Sequence, residues 1–182
     1  MSKIGRKAID ISGVQVDIKG QEVHYKGAKD SGIHVLPSDL KIEKQDDTLY
    51  IKPNATQDKA TRILYRDWGL HRALLSNKIS GARKAFTIDV VITGLGYKAV
   101  QSGDKLVLTL GYSHKIDFNL PKGVTVTIDK TGQKLTFESS DNIVLGTLVS
   151  RLKALRPTEP YKGTGIRRST DVVLRKDSKK KA

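Results

Sequence analysis

Apolar and polar residues alternate in short runs along most of this chain, and twice the period lengthens to that of a helix. Val14, Val16 and Ile18 alternate with polar neighbours, and after Lys19-Gly20 the pattern resumes at Val23 and Tyr25, which predicts a hairpin. Leu40 and Ile42, then Leu49 and Ile51, predict a second pair of strands around the polar turn Lys44-Gln45-Asp46-Asp47. Between Thr61 and Ile79, Leu64, Trp68, His71, Leu75 and Ile79 fall near one helical face, and Gly81 is the expected stop. Phe86 to Thr93 then reads as an almost uninterrupted strand. Alternation returns at Leu106, Leu108 and Leu110, at Ile116, Phe118 and Leu120, at Val124, Val126 and Ile128, and at Leu135 and Phe137. Leu145, Leu148, Val149 and Leu152 carry the i, i+3, i+4, i+7 stripe of a second helix.

The two halves repeat one order of elements. His34-Val35-Leu36-Pro37 followed by Leu40 and Ile42 overlies Phe118-Asn119-Leu120-Pro121 followed by Val124 and Val126 at a constant offset of 84. Leu49 and Ile51 overlie Leu135 and Phe137 at 86, the difference being absorbed in the turn. The fold expected is therefore α+β: two tandem duplicated domains, each an antiparallel β-sheet packed with one main α-helix. Their expected bounds are 1–82 and 83–168, with a basic tail over 169–182.

Charge separates the halves. Lys and Arg number 33 against 19 acids, a formal net charge of +14 on 182 residues. The last 32 residues hold eleven basic residues (Arg151, Lys153, Arg156, Lys162, Arg167, Arg168, Arg175, Lys176, Lys179, Lys180, Lys181) and three acids, so +8 of that excess sits there. A basic tail on a milder body suits a polyanion, with nucleic acid ahead of an anionic membrane surface.

Within that region, Arg156-Pro157-Thr158-Glu159-Pro160-Tyr161-Lys162-Gly163-Thr164-Gly165-Ile166-Arg167-Arg168 has the composition of a recognition segment. Pro157 lacks an amide donor and drives Arg156 out of helical geometry, so the second helix should end there. Beyond it the chain is expected to leave as an extended arm. Gly163 and Gly165 would let backbone amides approach a phosphate, Tyr161 offers a stacking face, and Lys162, Arg167 and Arg168 supply charged donors. Lys153, Arg156, Arg175 and Lys176 extend the basic set. The competing reading is a solvated linker with a run of bases.

Other chemistries find little support. Cysteine is absent, which removes disulfides, thiolate metal sites and thiol nucleophiles. The four histidines, His24, His34, His71 and His114, have no metal-binding spacing, and His71 on an apolar helical face reads as a packed residue satisfied by one hydrogen bond. Gly94-Leu95-Gly96 and Gly163-Thr164-Gly165 lack the third glycine of a dinucleotide loop, and no serine or threonine has a credible base. The expectation is a binding protein without catalytic residues, metal or cofactor. No apolar run approaches the ~18 residues of a membrane span, and no signal-peptide core follows Lys3. The protein is expected to be soluble and to work where it is made.

The run from Arg156 to Arg167 resembles the signature of the universal large-subunit ribosomal protein six family in its bacterial form. Ser2-Lys3-Ile4-Gly5-Arg6-Lys7, Arg72-Ala73-Leu74-Leu75-Ser76-Asn77, Gly94-Leu95-Gly96-Tyr97-Lys98-Ala99 and Leu110-Gly111-Tyr112-Ser113-His114 resemble further stretches of that family, in the same order. The resemblance implies a structural constituent of the large ribosomal subunit, bound to large-subunit rRNA of the 23S type near the translation-factor-binding region. It also implies neighbouring ribosomal proteins, transient proximity to translation factors, no membrane partner, and a cytoplasmic ribosome or, for an organelle-encoded chain, the organellar matrix. It adds Lys98, Tyr112, Ser113, His114 and Thr164 to the RNA-binding set, while Lys3, Arg6 and Lys7 read either as a smaller second contact or as a solvated terminus. Thr164 stands where the family has lysine, and Trp68-Gly69-Leu70-His71 replaces a stretch of smaller residues, which points to locally different packing. The alternative function is a free-standing RNA-binding regulator or RNA chaperone.

Overall fold

The computed structural model describes residues 2–54 and 62–177. Thr61 and the basic residues Lys179, Lys180 and Lys181 lie outside them. The chain divides into two compact units, Met1–Ala85 and Phe86–Ala182.

The first unit carries β1 (Ile9–Asp10), β2 (Gln15–Lys19), β3 (Glu22–Lys26), β4 (Ser31–Val35), β5 (Leu40–Gln45), β6 (Thr48–Pro53) and α1 (Arg62–Arg83). They form two antiparallel three-stranded sheets, β1-β6-β5 and β2-β3-β4. The second unit carries β7 (Phe86–Thr93), β8 (Lys98–Ser102), β9 (Lys105–Thr109), β10 (Ile116–Asn119), β11 (Val124–Ile128), β12 (Lys134–Ser139), α2 (Asn142–Leu155) and β13 (Gly165–Arg168). Its sheets are β10-β9-β8 and β11-β12-β7-β13. Removing β13 leaves the arrangement of the first unit, so the duplication seen in the sequence is a duplication of topology.

Equivalent residues close equivalent turns. Lys19 pairs with Glu22 across Gly20, and Ser102 pairs with Lys105 across Gly103. Both glycines have positive φ, +61° and +60°, at the first central position of a two-residue hairpin turn. The Leu36 amide donates to the Gln21 carbonyl at 2.9 Å, and the Leu120 amide donates to the Asp104 carbonyl at 2.9 Å. The shared Leu-Pro thus follows the last strand of the equivalent three-stranded sheet, β2-β3-β4 or β10-β9-β8, in each copy.

Strand alternation puts Val23, Tyr25, Leu49 and Ile51 into the first core with Leu64, Trp68, Leu75 and Ile79 of α1. The second core holds Leu106, Leu108, Leu135 and Phe137 with Leu145, Leu148, Val149 and Leu152 of α2. The helix α2 starts where Asp141 caps it, its Oδ1 accepting the Ile143 amide at 2.8 Å. It ends at Arg156, whose φ of −149° and ψ of 86° lie outside the helical region that Pro157 disfavours for the residue before it.

Two expectations need correction. The first helix does not stop at Gly81 but continues to Arg83, with Gly81 and Ala82 buried. A loop of the same unit holds that last turn, the Lys29 amide donating to the Ala82 carbonyl at 2.9 Å, which offsets the roughly 1 kcal/mol cost of glycine in a helix. Nor does the chain beyond α2 leave as a free arm. Gly165–Arg168 pairs antiparallel with β7, Ile166 opposite Ile92, and the Ile166 side chain is fully buried. Eight-residue β7 has β12 on one edge only, and covering the other edge buries an isoleucine worth about 1.5–3 kcal/mol.

Candidate nucleic-acid interface

Returning to the sheet forces the segment after α2 into a closed loop. The Ile166 amide donates to the Arg156 carbonyl at 2.8 Å, so the loop leaves and re-enters beside one residue. Inside it, the Glu159 amide donates to the Thr164 carbonyl at 2.8 Å and the Gly163 amide to the Glu159 carbonyl at 3.0 Å. Tyr161 and Lys162 stand exposed at the tip. Thr164 turns its hydroxyl onto Glu159 Oε2 at 3.2 Å.

The two glycines of the loop have internal reasons. Gly165 has φ of +135°, and a Cβ there would lie 2.6 Å from the Pro157 carbonyl oxygen. Its bare backbone accommodates the returning chain, where the sequence reading assigned it to phosphate approach. A Cβ on Gly163 would sit 3.1 Å from a guanidinium nitrogen of Arg175. Arg175 reaches that place because the following segment folds back along the loop, the Lys176 amide donating to the Pro160 carbonyl at 2.9 Å.

Behind the loop, Asp171 collects donors. Lys153 Nζ reaches its Oδ2 at 2.5 Å, the Arg168 amide donates to the same oxygen at 3.1 Å, and Arg167 Nη1 donates to the Asp171 carbonyl at 3.3 Å. The Lys153 ammonium, then the Arg168 amide, hold the Asp171 carboxyl below the usual carboxylate range. Arg168 Nε is buried without a hydrogen-bond partner among the described residues. The outward amides of β13 are thereby taken up, Ile166 by Arg156 and Arg168 by Asp171, which closes the sheet edge against further strands.

A second cluster joins at Arg156. Its guanidinium lies 5.1 Å from the centroid of the Tyr112 ring, and Tyr112 stacks on His114 with centroids 6.2 Å apart and planes inclined by 26°. The Tyr112 hydroxyl donates to the Leu155 carbonyl at 3.0 Å, an orphan acceptor of the last helical turn. Hydrogen bonding to the Tyr112 phenol, then to that of Tyr97, raises the Arg156 pKa further. Tyr112, Ser113 and His114 are all exposed, so the stack presents a flat face to solvent.

The residue that builds this cluster was not singled out by the sequence reading. Tyr97 packs its ring against both Gly94 and Gly111, where a Cβ would lie 2.6 Å and 2.9 Å from it. The two glycine-tyrosine motifs are therefore the two walls of one contact. Their common Gly-Tyr pairing was the available signal. Lys98, next in the chain, points elsewhere: it lies along a groove with Lys130 and Gly132, apart from the Tyr112 stack.

The structure thus gathers Arg156, Tyr112 and His114 into one stack and Tyr161, Lys162, Gly163, Thr164, Arg175 and Lys176 into one loop face. Lys153, Arg167 and Arg168 are drawn to Asp171. Two of the region's three acids, Glu159 and Asp171, are engaged internally, while Asp177 is exposed, as are the cations Arg151, Lys162, Arg175 and Lys176. Exposed cations beside an accessible aromatic face can neutralise phosphates and stack unpaired bases. No group of three or more histidine, cysteine or acidic side chains able to hold a metal occurs among the described residues.

Comparison with known proteins falls on the same region. The family described as Ribosomal protein L6 matches residues 93–169, from the end of β7 through β13. Over the full chain there is 36% identity to the large ribosomal subunit protein uL6 of Cereibacter sphaeroides, covering 100% of both chains. A protein of the same name from Rhodopseudomonas palustris is 35% identical over 100% of each, and one from Methylacidiphilum infernorum is 36% identical over 98% of each.

Proposed function

From the premise that this chain belongs to the uL6 family of large ribosomal subunit proteins, we propose that it binds large-subunit rRNA through its second unit and stabilises the tertiary structure of that RNA. The observation that carries this reading is the convergence of the Tyr112–His114–Arg156 stack and the Tyr161–Lys162 loop on one end of α2. Its work is binding: Lys162, Arg175 and Lys176 displace counterions from phosphates, while Tyr112, His114 and Tyr161 take up unpaired bases. Neighbouring ribosomal proteins and a position near the translation-factor-binding region belong to the same proposal, as does a site of action on ribosomes of the cytoplasm or an organelle. No described helix is long and apolar enough to cross a membrane.

The test is a sucrose gradient of a lysate at high monovalent salt, with the chain quantified in each fraction. Retention on the large subunit at near one copy per particle is expected. A chain that washes off, or runs with free RNA, overturns the structural role in favour of a free-standing RNA-binding regulator or chaperone.

A further inference from the structure

We infer that the N-terminal turn of the first unit is a second, pre-organised phosphate-binding surface, with Lys3 and Lys7 as its charges and the same rRNA as its partner. This rests on the rRNA-binding reading above and extends it to a unit that the C-terminal site does not involve.

A basic run at a chain terminus ordinarily moves with the solvent. This one is fastened at consecutive points along α1. Ser2 Oγ accepts the Gly5 amide at 3.2 Å and the Ile4 carbonyl accepts the Lys7 amide at 3.2 Å, which winds residues 2–7 into a compact turn. Gly5 is buried flat against the indole of Trp68, where a Cβ would be 2.5 Å from the ring. One residue along, a Cβ on Gly69 would be 2.9 Å from Ser2 Oγ. One turn further, Arg72 donates from Nε to the Lys7 carbonyl at 3.1 Å and from Nη2 to the Ala8 carbonyl at 2.8 Å. Trp68 is itself immobilised, buried and donating from Nε1 to the Ile51 carbonyl of β6 at 2.6 Å.

Apart from Ile4, which is 54% exposed, the side chains left outside are cationic. Lys3, Arg6 and Lys7 are exposed, and neither Lys3 nor Lys7 has an ion-pair partner among the described residues. Asp10, the next acid along the chain, is paired with Arg83 at 2.9 Å, and Asp67, beside Trp68, is paired with Arg66 at 3.0 Å. A rigid turn presenting unpaired cations loses little backbone entropy on docking, and this is what a polyanion site requires.

The experiment measures binding of the full chain to a large-subunit rRNA transcript across a monovalent salt series. Lys3→Gln/Lys7→Gln is expected to lower the slope of log K against log salt by about 1.4–1.8, two contacts at roughly 0.7–0.9 each. Gly5→Ala keeps both charges but pushes the turn off the indole. It should red-shift emission of the chain's single tryptophan and bring affinity down toward that of the double variant. An unchanged slope for the double variant, with a reduced slope for Lys162→Gln, overturns the N-terminal surface and leaves the C-terminal one standing. Unchanged slopes for both overturn the rRNA reading itself.

Discussion

His34 of β4 and His71 of α1 meet nitrogen to nitrogen, Nε2 to Nδ1, at 3.2 Å with their rings tilted by 56°. This hydrogen bond joins the β2-β3-β4 sheet to the helix of the first unit, and it needs at least one neutral ring. Both rings protonated would place two donors face to face. His71 is thus the packed histidine satisfied by one hydrogen bond that its place on the apolar helical face suggested, and its partner is another histidine.

The pair makes the first unit sensitive to acid. Burial first, then the charge of Lys78 and the neighbouring His71, lower the His34 pKa to about 4. A histidine depressed in the folded state favours folding fully above its unfolded pKa of about 6.5, and the advantage is lost as pH falls toward the folded value. Stability of the first unit should therefore decline by roughly 3 kcal/mol between pH 6.5 and 4 from this group. Denaturant melts of the whole chain, followed by emission of Trp68 in that unit, check it. His34→Gln should show a shallower decline over the same window, and parallel profiles would remove His34 as the cause.

Gly165→Ala tests whether the loop after α2 is built from within. The substitution strains a residue at φ of +135° and drives a methyl group into the Pro157 carbonyl, which is backbone and cannot swing aside. A destabilisation of about 3 kcal/mol or more is expected from the strain and the lost β13 pairing. Hydrogen exchange should show Ile166 and Arg168 amides unprotected while β9 and β10 remain protected. A neutral substitution would mean that the loop re-enters the sheet by another route.

Tyr112 separates packing from binding. Tyr112→Phe removes the hydroxyl bond to Leu155 and should cost about 1 kcal/mol of stability while leaving the ring stack with Arg156 and His114. Tyr112→Ala removes the face as well and should weaken binding to a large-subunit rRNA transcript by a further 1–3 kcal/mol or so, the worth of one base stack. Equal affinities for the two variants would show that Tyr112 only caps the helix.

These tests also mark where the sequence was readable. Hairpins such as β2–β3 and β5–β6 were legible because one face is buried and the alternation Val14, Val16 or Leu49, Ile51 records it. The Leu-Pro pairs were legible because the same strand end recurs in both units. The strand β13 was not, since Ile166 is a lone apolar residue between a glycine and two arginines, and its pairing depends on the open edge of β7. The continuation of α1 through Gly81 was hidden for a similar reason, because the loop at Lys29 sets it. Of the candidate site, the charges and Tyr161 could be read directly. The stack at Arg156 could not, because Tyr97, Gly94 and Gly111 meet only in the folded sheet, and Trp68 showed its role only once Gly5 was placed against it.

Asp171 provides the sharpest test of how charge is apportioned at the C-terminal face. Its carboxylate holds Lys153 and the Arg168 amide, and its pKa is lowered mainly by Lys153. The contact is partly exposed, so its contribution to stability is small and is present above the unfolded carboxylate pKa, fading as pH falls below it. Asp171→Asn removes the charge and frees Lys153 for phosphate. The salt slope for rRNA binding should then steepen by about 0.7–0.9, one added contact, while the Arg168 amide exchanges faster and global stability falls by under about 1 kcal/mol. A slope that stays level with rapid Arg168 exchange would mean that Lys153 is structural even when released. A slope that becomes shallower would mean that the loop face itself depends on Asp171, because its loss would then have cost the contacts of Arg175 and Lys176 along with the pairing.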